Sequence, residues 1–184
     1  MAAVVSGVSV AERAGKYLTF ELGSEVYGLP VLRVREVIGI QVAAKVPHAP
    51  MHVKGVINLR GKVIPIVDLR MKFGLPTAEE TDRTCIIVMQ LSGRGTTILV
   101  GAVVDRVSEV TSLAAADIED TPDFGDGSTL PYVLGIAKTR DGVRILIDPD
   151  CLFDVCELGN FPSGHGMSAP GHDAPGHNQG SDPS

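Results

Sequence analysis

The segment from Gly55 to Lys62 has the residue types of a phosphate-binding loop, with two glycines and a lysine after a short apolar run. In such a loop the lysine reaches the phosphates, and the following Ser or Thr binds magnesium. Here the glycines are one residue too far apart, and Val63 occupies the Ser/Thr position. The next residues are β-branched, whereas the loop must open a helix. The spacing therefore excludes a nucleotide-binding loop.

Two histidines and three cysteines are the candidate metal ligands of the folded part. His48 and His52 have the spacing of a zinc-binding helix, but Pro50 lies between them and no Glu follows His48. Cys151 and Cys156 have no second Cys/His pair near them in sequence, and Cys85 opens an apolar run typical of a core strand. We therefore expect no metal and no cofactor.

Asp68 and Asp148 could be imagined as a pair of catalytic carboxylates. Each follows a predicted hairpin, and Pro149 follows the second, so both positions favour helix capping. No nucleophile with a neighbouring base is visible in the sequence. We expect no enzyme activity. The alternative is an enzyme whose site uses residues that look structural, and turnover abolished by Asp68→Asn would support it.

The elements around these residues occur twice. A strand, a tight turn and further extended residues run from Tyr17 to Ile40, and the same plan recurs from Cys85 to Leu113. Each copy ends in a similar tetrapeptide, Val34 to Val37 and Val107 to Val110, at an offset of 73 residues. A second repeat has an offset of 80 and aligns Val53–Asp68 with Val133–Asp148. Both of these segments have the pattern of a hairpin with a short polar turn.

Short strands separated by Gly and Pro turns predict a mainly β fold of two small closed barrels. Helical residues are too few for the crossovers of a parallel sheet. One unit covers about residues 16–76 and the other about 83–158, with a polar link between them. A single unit would be marginally stable, so we expect the two to pack together.

Composition and charge exclude several classes of function. The net charge is −6 and aromatic residues make up 4% of the chain, so nucleic acid is not an expected partner. No apolar run reaches eighteen residues, so we expect no membrane-spanning helix. Residues 1–15 lack the features of a signal peptide and are expected to be a flexible segment. Residues 159–184 are rich in Gly, Pro, Ser and His and are expected to be a disordered tail.

Four segments, in order along the chain, resemble the CheW family of chemotaxis coupling proteins. The most specific is the hairpin from Val53 to Arg70. The others are the opening from Tyr17 to Val37, the segment from Val100 to Val110, and the last hairpin from Arg144 to Asp148. The resemblance covers about residues 16–158. It implies two intertwined, five-stranded SH3-like barrels, with a few short helices and possible exchange of strands between the units.

The resemblance also implies a function. Proteins of this family are non-enzymatic adaptors that couple membrane chemoreceptors to a CheA-type histidine kinase. Implied partners are the kinase's regulatory domain and the cytoplasmic tip of the receptors, with a monomer joining receptor arrays at the inner face of the membrane. The pathway served, whether flagella, pili or another output, stays open. A CheA regulatory domain or a receiver fusion is less compatible with 184 residues.

Seven candidate receptor- or kinase-binding residues follow from matched positions: Val34, Glu36, Gly55, Arg60, Gly61, Val107 and Val110. Glu36 and Arg60 are predicted to pair as a fork at the rim of a groove, although an ordinary surface ion pair is the alternative. For the three valines core packing is as good an interpretation as contact. The glycines fit a backbone role better than a contact role. Arg106 departs from the small residue that the family favours there.

Overall fold

The computed structural model describes residues 9–93, 95–122, 130–153 and 158. The predicted disordered tail, residues 1–8, the loop 123–129 and Cys156 lie outside the described residues. Within the segment expected to be flexible, a short helix precedes the first strand, and Arg13 forms an ion pair with Asp120. The described secondary structure therefore begins at Val10, and flexibility of residues 1–15 stays a prediction. No helix in the described part of the chain is long and apolar enough to cross a bilayer.

The described residues form eleven strands and three one-turn α-helices. The strands are β1 (Gly15–Leu22), β2 (Glu25–Pro30), β3 (Val34–Gly39), β4 (Val53–Leu59), β5 (Lys62–Asp68), β6 (Cys85–Gly93), β7 (Thr96–Val104), β8 (Arg106–Leu113), β9 (Ile118–Glu119), β10 (Val133–Thr139) and β11 (Gly142–Ile147). The helices are α1 (Val10–Arg13), α2 (Leu69–Lys72) and α3 (Pro149–Leu152). Short 3₁₀ turns cover Val31–Arg33 and Ala115–Asp117.

The strands form two sheets. One has six strands in the order β8-β1-β2-β11-β10-β9, and the other has five in the order β3-β6-β7-β5-β4. The mainly β class with few short helices is confirmed. One count differs from the expectation, because the two-residue β9 adds a sixth strand to one sheet. Neither sheet is a fully closed barrel within the described residues.

The two sheets do not follow the two sequence repeats. The first hairpin, β1–β2, lies in the same sheet as β8 to β11, and the hairpin β6–β7 lies with β3 to β5. Antiparallel pairings of β1 with β8 and of β3 with β6 make these joins, together with short parallel pairings of β2 with β11 and of β5 with β7. Each sheet is therefore built from both halves of the chain.

Apolar side chains form a large core between the sheets and a smaller one inside each. The large cluster includes Phe20, Val67, Met89 and Ile147, all fully buried. Isoleucines and valines fill the inside of the five-stranded sheet, and a third cluster around Leu146 fills the six-stranded one. Since each sheet curls around its own small core, the architecture is barrel-like without full closure.

Four aromatic rings stack in a row across the junction of the two halves. Phe20 stacks on Tyr27, Tyr27 on Phe73 and Phe73 on Tyr132, with ring centroids 5.4 to 5.6 Å apart. The row begins in the buried core and ends on Tyr132, just before β10. Stacked rings add to the stabilisation that burial itself gives, so this row strengthens the contact between the halves.

Both predicted helix caps are confirmed. The Asp68 carboxylate accepts hydrogen bonds from the backbone N–H groups of Arg70 and Met71, and the Asp148 carboxylate accepts one from Asp150. These bonds satisfy N–H groups that a short helix leaves free at its start. The two aspartates therefore cap helices at equivalent positions of the repeat.

Candidate functional site

The predicted fork between Glu36 and Arg60 is present. Arg60 Nη1 donates to Glu36 Oε1 and Nη2 donates to Oε2, each at 3.0 Å. Glu36 lies on β3, one edge strand of the five-stranded sheet, and Arg60 lies in the turn between β4 and β5 at the other edge. The ion pair therefore joins the two edges of the sheet.

A backbone bridge joins the same two edges. Ala44, a few residues after β3, exchanges two hydrogen bonds with Val56 on β4, at 2.8 and 2.9 Å. Gly55 makes this crossing possible, because a Cβ at that position would lie 2.2 Å from the Ala44 carbonyl oxygen. Gly135 is its counterpart in the other sheet, where a Cβ would lie 2.7 Å from the Glu119 carbonyl oxygen. The structure thus gives Gly55 a backbone role, and contact with a partner stays a prediction.

Arg60 has an unusual backbone conformation. Arg60 and Gly61 form the two-residue turn between β4 and β5, with φ of 51° and 83°. Asn58 Oδ1 accepts a hydrogen bond from the Gly61 N–H and supports the turn. A left-handed conformation costs a residue other than glycine about 1–2 kcal/mol. An arginine is held here at that cost, which points to a role for its side chain.

The three predicted valines divide by environment. Val34 and Val107 are half-buried and pack against the large core, which supports the core-packing interpretation. Val110 on β8 is 53% exposed and is free to contact a partner. Arg106, the departure from the family pattern, is exposed at the start of β8 and lies 3.8 Å from Glu21.

Val110 belongs to a set of exposed valines that repeats between the sheets. The repeat offsets of 73 and 80 residues align Val37 with Val110 and Val63 with Val143, so Val37 and Val63 are their counterparts in the five-stranded sheet. All four are between 42% and 56% exposed. We call Val37, Val63 and the charged Arg35, Glu36, Arg60 and Lys62 the first surface. The second surface consists of Val110, Val143, Glu109, Arg140 and Asp141.

The glutamates of the two surfaces are held differently. Glu109 is the counterpart of Glu36, but its ion pair is with Arg144 on β11, at 3.9 Å, and not with Arg140, the counterpart of Arg60. Its backbone is fixed by the buried Thr19, whose hydroxyl donates to the Glu109 carbonyl at 2.9 Å and accepts from its N–H at 3.2 Å. On the first surface, therefore, Glu36 and Arg60 are hydrogen-bonded to each other. On the second surface, Glu109 and Arg144 lie too far apart for a hydrogen bond.

An apolar cleft escaped the sequence analysis. It has a volume of about 420 Å³ and lies beside the six-stranded sheet, where α1, the end of β2 and the start of α3 meet. Tyr17, Val31, Leu32 and Leu134 line it, and Leu32 is 94% exposed. None of the seven predicted residues lines this cleft. The residues that line the cleft come from distant parts of the chain, so the sequence could not predict it. The one local indication is Leu32, which lies among apolar residues.

A partly buried ion pair between Arg70 and Asp105 holds the turn between β7 and β8. Arg70 Nε donates to Asp105 Oδ1 at 2.6 Å, Arg70 Nη2 pairs with Oδ2, and the Gly23 N–H also donates to Oδ2 at 2.8 Å. The hydrogen bonds from Arg70 hold the pKa of Asp105 below its ordinary value, against a smaller opposing effect of burial. Asp105 therefore ties α2 and the β1–β2 turn to one point.

Comparison with known proteins places these features in a family. The model of the CheW-like domain matches residues 16–157. The chain is 35% identical over 156 residues to the chemotaxis protein CheW of Klebsiella aerogenes, covering 85% of this chain and 92% of the relative. It is 36% identical over 136 residues to that of Rhizobium meliloti, covering 74% and 85%. The crystal structure of the scaffolding protein TtCheW from Thermoanaerobacter tengcongensis superposes with a TM-score of 0.68 at 36% identity, covering 77% of this chain and 94% of the other.

Proposed function

Because the chain belongs to the CheW-like family, we propose that it is a chemotaxis adaptor coupling membrane chemoreceptors to a CheA-type histidine kinase. The observation that carries the proposal is the repeated pair of exposed valines, one pair on each sheet. Exposed apolar side chains at equivalent places suit a scaffold that meets similar partners at both ends. The adaptor acts by binding and has no catalytic role.

The kinase's regulatory domain is the proposed partner of the two surfaces. On the first surface, the two hydrogen bonds to Glu36 set the direction of the Arg60 guanidinium, which is mostly exposed. A positioned guanidinium loses less conformational entropy on binding than a free one. Glu36, Arg60 and Val110 are the strongest of the seven candidate contacts, and Gly61 supports them through the turn.

The receptor's helical tip is the proposed occupant of the apolar cleft. A helix docks into a groove through apolar side chains spaced along one face. The cleft is concave and mostly apolar, and Leu32 projects from its rim. Val34 and Val107 pack on the large core and are not proposed as contacts of this cleft.

The proposed place of action is the cytoplasmic face of the membrane, where the adaptor joins receptor arrays as a monomer. The test is reconstitution of the full chain with a purified CheA-type kinase and receptor-bearing membranes, scored by kinase autophosphorylation. A large rise that needs all three components supports the proposal. If the chain binds neither kinase nor receptor, the coupling function is wrong.

A further inference from the structure

The apolar cleft beside the six-stranded sheet also has charged residues in its lining. Two are acids, Glu12 and Asp148, and three are cations, Arg13, Lys16 and Arg33. A charged group that already has a partner within the protein contributes little to the recognition of another molecule, because binding must first break or share that contact. The partners of these five groups therefore decide which charge the cleft can recognise.

Both acids of the lining hold the starts of short helices. Glu12 accepts a hydrogen bond from the backbone N–H of Ser9 at 2.7 Å, and its hydrogen bonds with Ser9 hold the pKa of Glu12 below its ordinary value. Asp148 accepts a hydrogen bond from the backbone N–H of Asp150 at the start of α3. Both carboxylates are therefore engaged by the backbone of the protein itself.

Both arginines of the lining have acidic partners that are not part of the lining. Arg13 Nη1 lies 2.6 Å from Asp120 Oδ1. Arg33 Nη2 pairs with Asp150, and Arg33 Nη1 donates to the Ser92 hydroxyl at 2.8 Å. These ion pairs tie the walls of the cleft to the rest of the protein. The two guanidinium groups are therefore already neutralised.

Lys16 is the remaining charge of the lining, and its ammonium group has no partner among the described residues. The side chain is exposed and lies on β1, directly before the buried Tyr17. Because side chains alternate along a strand, Lys16 shares the face of Leu18, which belongs to the large core between the sheets. Lys16 therefore lies where this core ends and the cleft opens to solvent.

We propose that Lys16 binds an acidic residue on the helical receptor segment that docks in the cleft, and that this ion pair helps to decide which receptors the adaptor accepts. The inference rests on the proposed function, because it takes the receptor tip as the occupant and adds the chemistry of that segment. Apolar side chains of the segment contact Leu32 and Leu134. An Asp or Glu lies one helical turn from these apolar side chains on the same face and reaches the ammonium group.

The charge of the cleft favours this occupant over a neutral or basic segment. A basic residue at the same place would be repelled by Lys16, and an apolar one would cover the ammonium group without replacing its water. The stem of the lysine is apolar and flexible, so it can lie along the docked helix while the charged end reaches the acid. The cleft therefore distinguishes segments by charge as well as by shape.

The net charge of the whole chain limits this attraction to short range. The chain carries a net charge of −6, so its overall field repels an acidic segment. At physiological salt, charges farther apart than about 8 Å are largely screened from each other. An acidic segment is therefore attracted only once it is in place beside Lys16, which makes the pair a determinant of specificity rather than of the rate of association.

The test measures the dissociation constant of the full chain for receptor-bearing membranes by cosedimentation, at low and at high salt. Lys16→Glu is expected to raise Kd about tenfold at low salt, and Lys16→Met, which keeps the apolar stem, about threefold. The ratio of variant to native Kd should narrow at high salt, because salt screens the pair. Lys45→Glu is the matched control, since Lys45 is exposed and does not line the cleft, and it should leave Kd unchanged.

Charge reversal on the receptor identifies the partner residue. Each Asp and Glu of the receptor's cytoplasmic tip is changed to lysine in turn, and each receptor variant is measured with the native chain and with Lys16→Glu. One reversal is expected to weaken binding of the native chain and to restore binding of Lys16→Glu. Such a crossed rescue measures the coupling of the two residues and is not expected from a general loss of stability.

Several outcomes overturn the inference. An unchanged Kd for a folded Lys16→Glu variant shows that Lys16 is not a contact, a lower one shows that the segment is basic there, and an equal loss in Lys45→Glu shows only long-range attraction. Failure of every receptor reversal to rescue Lys16→Glu also contradicts it. Self-association of the chain alone, lost in Lys16→Glu, assigns the cleft to a second copy. A native chain that binds no receptor refutes the proposed function itself.

Discussion

Glu36 and Arg60 lie on opposite edges of the five-stranded sheet and are joined by two hydrogen bonds of 3.0 Å. The pair has the planar fork geometry that arginine makes with a carboxylate and that lysine cannot make. Arg60 is largely exposed, so the pair contributes at most about 1 kcal/mol to folding. Its larger effect should be on binding.

We expect Arg60→Glu to weaken binding of the CheA-type kinase about tenfold or more, because it removes a positioned cation and repels Glu36. Calorimetric titration checks the affinity, and circular dichroism checks the fold. Arg83→Glu, which changes an exposed arginine just after the link, is the control and should bind normally. If Arg60→Glu unfolds the protein, the pair is structural and the binding assignment is wrong.

Gly55→Ala should destabilise the protein by about 2 kcal/mol or more, because the new methyl group meets the Ala44 carbonyl and φ is 143°. Urea unfolding measures the loss. Gly39→Ala is the matched control, since a Cβ there meets nothing within 4 Å and φ is ordinary. Equal stability of the two variants would mean that the Ala44 carbonyl does not lie close enough to Gly55 to exclude a methyl group.

Asp105→Asn should lower stability by about 2 kcal/mol at neutral pH, because it weakens the charge-assisted bonds from Arg70. The folded-state pKa of Asp105 is lowered, so its contribution is present above the ordinary aspartate pKa of about 3.9. It is lost as the pH falls through the lowered folded-state value. Urea unfolding at neutral and acidic pH should therefore show a gap between wild type and variant that closes in acid. A gap that persists unchanged would contradict the assignment, and Asp82→Asn serves as the exposed control.

Leu32→Asp should weaken binding to receptor-bearing membranes about tenfold, since burying a leucine side chain at an interface contributes about 1.5–3 kcal/mol. Cosedimentation with the membranes measures the affinity of each variant. Val42→Asp is the control, because Val42 is equally exposed but does not line the cleft. Similar losses in both variants would argue for general repulsion by the membrane surface and against docking in the cleft.

Local features of the fold were predictable from the sequence, and long-range ones were not. The polar turn at Arg60-Gly61 and the caps at Asp68 and Asp148 depend on residues close in sequence, so pattern and chemistry suffice. A pairing of Glu36 with Arg60 was conceivable because both residues lie in one unit, but the fork was favoured over an ordinary surface ion pair only because of the resemblance to the CheW family. The pairing of β2 with β11 was not, because alternation of side chains does not reveal which strand is the neighbour. The burial of Arg144 was hidden in the same way, since a charged residue in a strand is expected to face water.

The exchange of hairpins between the sheets also bears on how the protein is made. Strand β2, already paired with β1, gains its second neighbour only when β11 has left the ribosome, more than one hundred residues later. Until then the hairpin β1–β2 can pair only with β8 and one edge of β2 stays open, so the nascent chain must be kept from premature association. Synthesis of the last hairpin thus completes the six-stranded sheet, whereas the five-stranded sheet contains no strand beyond β7, so a chain released before that point has only the five-stranded sheet whole.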